Sequence, residues 1–215
     1  MPEKFEISSN KFLIKKTTGY YNRFYLGFKK PNNPDFLNTL KNTFNTENSQ
    51  SLKSAKKSVY DILIKDIPQI IKANNLSNCV IMCLPRAKTT DSYHDTQQMF
   101  KNAVSAAASN IQGAIDGTQY IERIVDTFTT HLPESIGRAA VTGKKTKNNG
   151  KKPYPGITRD TCQISDKLIK NKNIILIDDI YTVTVNIDED CIQALYDMGA
   201  NNVIFYAIGY TNIKK

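Results

Sequence analysis

"NIILIDDIYTVTVNIDEDCIQALYDMGANNVIFYAIG", residues 173–209, decides the fold. Residues 173–178 form an apolar run of strand length, and residues 202–209 form a second one. Between them Ile187, Cys191, Ile192, Leu195 and Met198 recur at helical spacing. Gly199 stands where a helix closes in the left-handed conformation that glycine tolerates best. Strand, helix and strand make a βαβ unit, which predicts a parallel sheet and a right-handed crossover. Ligands of such sheets bind beyond the carboxyl ends of the strands. Asp178 and Asp179 close the first run, so they are expected at that mouth, followed by the loop Thr182, Val183, Thr184, Val185 and Asn186. The helix start after this loop offers free N–H groups and the positive end of its dipole, which suits a phosphate. Acids there can also cap the helix and face water.

Working backward, "NCVIMCLP" (78–85) reads as another buried strand, running into the basic segment "PRAK". Residues 54–73 carry a helical apolar face interrupted by Pro68, which predicts a kink or two pieces. A further helix is expected over 96–111 and a short one after Asp35. "KFLIKKTTGYYNRFYLGFKK" (11–30) is rich in aromatic and β-branched residues around Gly19 and reads as a hairpin or two short strands. Residues 139–160 are basic, contain glycine and proline, and read as a long mobile loop too polar for the core.

The chain has 215 residues, 40% of them hydrophobic, enough for one substantial core. Its formal charge of +9 favours anionic partners, although the lysines are scattered and a solvated surface accounts for them equally. The cysteines at 79, 83, 162 and 191 lack zinc-ligand spacing and read as buried thiols of a reducing compartment. No apolar run reaches the ~20 residues of a membrane helix, so the expected setting is cytoplasmic, without a membrane partner.

"IILIDDIYTVTVN" (174–186) resembles the phosphoribosyl-pyrophosphate (PRPP) signature of type I phosphoribosyltransferases, nearest to the ComF-like, amidophosphoribosyltransferase-like group. The resemblance is specific over 173–209 and extends back to about 76. It implies a Rossmann-like core over 76–215 with a flexible loop at about 127–160, and an N-terminal α+β hood over 1–75. It also implies PRPP as donor, Mg2+ as cofactor with Asp178 as its carboxylate, and transfer to a nitrogenous acceptor, an amine or base, with release of pyrophosphate. Asp178 and Asp179 would hold the ribose hydroxyls, and Thr182, Val183, Thr184, Val185 and Asn186 the 5′-phosphate. Arg86 and Lys88 would bind pyrophosphate. Thr129, Thr130 and Arg138 would belong to the closing loop, with His131 as general base or a surface histidine. The family loop normally contains a glycine, absent here, and Asp188, Glu189 and Asp190 would repel a phosphate. A sensing module without catalysis is the alternative, as is a nucleic-acid-associated variant suggested by the basic stretch at 144–152. A homodimer is compatible with either.

Overall fold

The computed structural model describes residues 1–132 and 148–211. Its centre is a six-stranded sheet in the order β1-β2-β8-β7-β3-β4. These strands are β1 (Glu3–Ile7), β2 (Thr17–Phe24), β3 (Cys79–Cys83), β4 (Ala114–Asp116), β7 (Asn173–Thr182) and β8 (Asn202–Thr211). All neighbours are parallel except β1, which pairs antiparallel with β2. A small antiparallel pair, β5 (Ile121–Arg123) and β6 (Cys162–Ile164), stands apart. The central strands read as continuous apolar runs because both faces are covered.

Helices α1 (Phe36–Lys41), α2 (Ser49–Ala73) and α3 (Met99–Asn110) cover one face, where Leu37, Leu63 and Val104 meet Ile175, Ile177 and Ile204. Helix α6 (Ile187–Asp197) covers the other, where Ile192 and Leu195 meet Leu176 and Phe205. Two short helices, α4 (Ile157–Thr161) and α5 (Asp166–Ile169), complete that layer. The βαβ unit is therefore present with parallel strands, and Gly199 closes α6 at φ +88°. No helix among the described residues is long and apolar enough to cross a membrane.

Four expectations change. Helix α2 runs through Pro68 as one helix rather than two pieces, because the ring removes one N–H while the buried stripe Leu52, Val59, Leu63, Ile67 and Ile70 holds both halves on the sheet. Gly19 is not a turn: it lies inside β2, where a Cβ would come within 2.5 Å of the Phe5 ring. The strand alternation expected to turn there instead continues, and the hairpin partner is the polar N-terminus, β1. Residues 1–75 are therefore no separate hood, since β2 is a working strand of the main sheet, paired with β8, and α1 and α2 pack in its core. Finally, residues 157–161 are the helix α4, with Ile157, Thr158 and Thr161 buried, rather than loop. Asp190 makes this possible, because its carboxylate accepts from the N–H groups of Gly156 (2.5 Å) and Thr158 (2.7 Å) at the helix start.

Gly150 offers a local test. Its φ is +111°, and a Cβ there would lie 2.7 Å from the carbonyl carbon of Thr127. Gly150→Ala should lower stability by about 1–3 kcal/mol, read by chemical denaturation. An unchanged midpoint would show that the bridge between Thr127 and Lys151 does not hold this geometry in solution.

Candidate functional site

β3 ends at Cys83 opposite Ile177, and the last bond between the two strands is Leu84 N–H to the Ile177 carbonyl, 2.9 Å. β7 continues alone on that side to Thr182, still paired with β8 up to Thr211. Asp178 and Asp179 therefore sit at the point where β3 leaves the sheet, not at the end of their own strand. Ile177 and Ile180, three residues apart, both pack on the α1/α2/α3 side, whereas Tyr181 packs on the α6 side. Strict alternation would separate Ile177 from Ile180, so the pattern slips by one residue across the aspartate pair. Such irregularities re-aim side chains near sheet mouths.

The two carboxylates are turned to opposite layers. Asp179 forms an ion pair with Lys41, the last residue of α1, at 3.3 Å. Asp178 hydrogen bonds to Asp188, in the first turn of α6. Burial, and then the charge of Asp179, push Asp178 up to about 7. Asp188 is driven well above the usual carboxylate range by burial first and by Asp178 second, and its Oδ1 has no hydrogen-bond partner. One proton shared between the two acids relieves both. The other acids of that helix turn away. Glu189 accepts from the Tyr181 hydroxyl at 2.7 Å, and Asp190 holds α4. The three acids thus face three different partners instead of jointly facing the loop.

The loop itself is a tight turn, with Val185 N–H donating to the Thr182 carbonyl at 3.1 Å. Asn186 adopts φ +59°, the left-handed conformation that a glycine would supply, and asparagine is the residue type best able to replace it. Its side chain is held by Asn10 Nδ2 at 3.1 Å. Val183 and Thr184 are exposed.

The basic segment after β3 is tied down. Arg86 donates to the carbonyls of Gln97 and of Lys41 (2.7 Å), and its guanidinium lies 4.5 Å from the Tyr93 ring centre. Lys88 is only 6% exposed and donates to the Thr127 (2.8 Å) and Asn149 carbonyls. Both cations therefore brace neighbouring segments. With Lys101, Tyr93 and Arg123 they line a cavity of about 40 Å³ beside Cys83. Arg123 is 5% exposed, and its partners are neutral: the Arg86 carbonyl at 3.1 Å and the Thr161 hydroxyl. A groove of about 430 Å³ at the opposite end of the sheet, lined by Ile64, Pro68, Ile71, Leu76 and Ile111, is remote from the aspartates. Neither space is lined by Asp178 or Asp179.

The Asn148 side chain helps to join the segments flanking residues 133–147. Asn148 accepts from Thr129 N–H (2.9 Å) and donates to the carbonyls of Thr129 (3.0 Å) and Leu132 (2.9 Å). Thr129 is buried, while Thr130 and His131 are exposed. Arg138 lies outside the described residues. Lys41 and Arg123 carry no functional reading in the sequence, and Asp188 is read there only as an acid that would repel a phosphate. Only Arg123 carried a signal, as the inward position in the alternation Ile121, Glu122, Arg123. No family model, curated protein or solved structure matches the chain.

Proposed function

We propose that the chain is a type I phosphoribosyltransferase-like protein that binds PRPP at the mouth of β7 and transfers the phosphoribosyl group to a nitrogenous acceptor. The observation that carries this reading is the placement of Asp178 and Asp179 where β3 leaves the sheet, one residue beyond the bond from Leu84, with the basic segment beginning on the adjacent strand. Acids for ribose hydroxyls and cations for a diphosphate would then share one crevice. Asn186, at φ +59°, closes the turn ahead of the first N–H groups of α6, where the 5′-phosphate would lie. Arg86 and Lys101, on the β3 side of the mouth, are the cations the diphosphate end would approach.

The donor set fits Mg2+ only in part. Asp178, Asp179 and Asp188 supply hard oxygens, one of them unpartnered. Among the described residues, however, no group of three or more His, Cys, Asp or Glu is placed to hold a metal alone. The ion would therefore share its coordination with the oxygens of the bound diphosphate, as magnesium commonly does, and would neutralise charge on the departing pyrophosphate. In this reading Asp178 and Asp179 orient the ribose, and Lys41 leaves Asp179 as the hydroxyls arrive.

A second reading, binding without turnover, rests on the absence of the family's glycine from residues 182–186. Calorimetry with PRPP, with and without Mg2+, tests the shared claim. Pyrophosphate release over a panel of amines and bases divides the two. Binding with release supports transfer, and binding with no release from any acceptor supports a sensor. No binding in either condition refutes both.

A further inference from the structure

The central sheet ends in a strand with one free side. β1 lies beyond β2 at the end of the strand order, so half of its backbone groups face no neighbouring strand. Among the described residues, no backbone bond outside the β1–β2 ladder involves Glu3–Ile7. The opposite edge, β4, is three residues long, whereas β1 has five, and a free edge of that length is a template for a further strand. Its two faces differ. Phe5 and Ile7 pack on the α6 side, while Lys4 and Glu6 point to the other face and are exposed. There Lys4 stands opposite Tyr20 of β2 and Glu6 opposite Thr18. Lys16 reaches Glu6 at 3.0 Å, but the two side chains are 71% and 57% exposed, so water weakens the pair and leaves Glu6 open to a second cation.

We infer that β1 pairs antiparallel with β1 of a second copy of the chain, about a two-fold axis through Phe5. Charge selects this register. A two-fold axis normal to the sheet keeps each face continuous, so residues directly opposite must share a face and the axis must pass through a residue. Centred on Lys4, it would set Lys4 against Lys4. Centred on Glu6, it would set Glu6 against Glu6. Centred on Phe5, it sets Lys4 of each copy against Glu6 of the other, with Phe5 against Phe5 and Glu3 against Ile7. No other centre in the strand makes an opposite-charge pair. Opposite charges across strands stabilise a sheet and like charges destabilise it, so the sequence favours one register and rejects slips. Whichever alternate set of backbone groups faces outward, this centre pairs it with the same set of the other copy. Charged residues often blunt an edge strand, but here the two signs on one face complement each other. An unrelated extended peptide is the weaker occupant, because nothing fixes its charges opposite Lys4 and Glu6. The formal charge of +9 opposes self-association, yet at physiological salt the screening length of about 8 Å confines that opposition to groups near the edge. The assignment is independent of PRPP binding.

The test is sedimentation velocity at about 0.15 M salt, over protein concentrations from about 5 to about 500 μM, the range that a small interface requires. The wild type should pass from monomer to dimer across this series. Lys4→Glu sets acids against acids and Glu6→Lys sets cations against cations, each contact occurring twice, so each variant should raise the dimer Kd about tenfold or more. Mixed in equal amounts, the two variants should pair with each other about as tightly as the wild type pairs with itself, because every facing charge is then opposite. Both side chains are exposed, so the variants should melt like the wild type. β2 and β8 separate β1 from β7, so calorimetry with PRPP should be unchanged in both. A wild type that stays monomeric throughout, a dimer indifferent to both single variants, or a mixture that fails to restore pairing would each overturn the inference. Capture of an unrelated extended peptide along β1 in place of self-association would assign the edge to another partner and equally overturn it.

Discussion

The Asp178→Asn, Asp179→Asn double variant should fold like the wild type and bind PRPP at least about 100-fold more weakly, since a hydrogen bond to a charged acceptor is worth roughly 1.5–3 kcal/mol. Asparagine preserves the shape of each side chain and one oxygen, so packing against α1 and α6 is retained. What it removes is the negative charge that would draw ribose hydroxyls and a magnesium-bound diphosphate into the crevice. Asp178 is half-neutral already near pH 7, because burial and the charge of Asp179 push it up to about 7. Its amide replacement should therefore be easy for the fold. Titration calorimetry reads the affinity and circular dichroism the fold. Equal affinity in the double variant would remove the ribose site from the mouth of β7, and with it the whole functional reading.

Stability should fall as pH rises from about 5 to about 8, and Asp188→Asn should flatten that decline. The sign follows from which state holds the proton. Unfolded, both Asp178 and Asp188 titrate near the usual aspartate value. Folded, Asp178 keeps its proton up to about 7 through burial and the charge of Asp179, and Asp188 keeps its own beyond the usual range through burial and the charge of Asp178. Between the unfolded and folded values the native state therefore binds more protons than the unfolded state, so each step up in pH favours unfolding. A carboxyl moved this far contributes on the order of a few kcal/mol across the window, at about 1.4 kcal/mol per pH unit. Asp188→Asn removes one of the two raised acids and leaves an amide that can donate to Asp178. Denaturation midpoints at pH 5 and pH 8 should then differ much less than in the wild type. A wild type equally stable at both values would mean that the Asp178–Asp188 pair is open to water rather than enclosed.

These two predictions rest on different kinds of information. The apolar runs around residues 173–178 and 202–209, the periodic face of α6 and the glycine at 199 were legible as a parallel βαβ unit, because local periodicity and the need to bury both faces leave few other arrangements. The aspartate pair was legible for the same reason: charges at the end of an apolar run must find water or a partner. Other features were not legible. Asp188 reads from sequence as one of three acids on a helix start, and only the return of α6 over the sheet brings it to Asp178. Lys41 reads as a surface lysine until α1 ends beside Asp179. Arg86 and Lys88 read as anion ligands, yet in the fold their donors go first to backbone carbonyls of neighbouring segments.

Sequence alone determined the strand and helix types of the carboxyl-terminal third and the position of the acidic mouth, since each follows from side-chain chemistry within a few residues. Tertiary structure decided the rest. It put the N-terminal strand β2 against β8, turned Asp178 and Asp179 to opposite layers, and brought Asp188 to Asp178. The physical reason is that these depend on contacts between residues far apart in the chain, whose burial and partners no local pattern specifies.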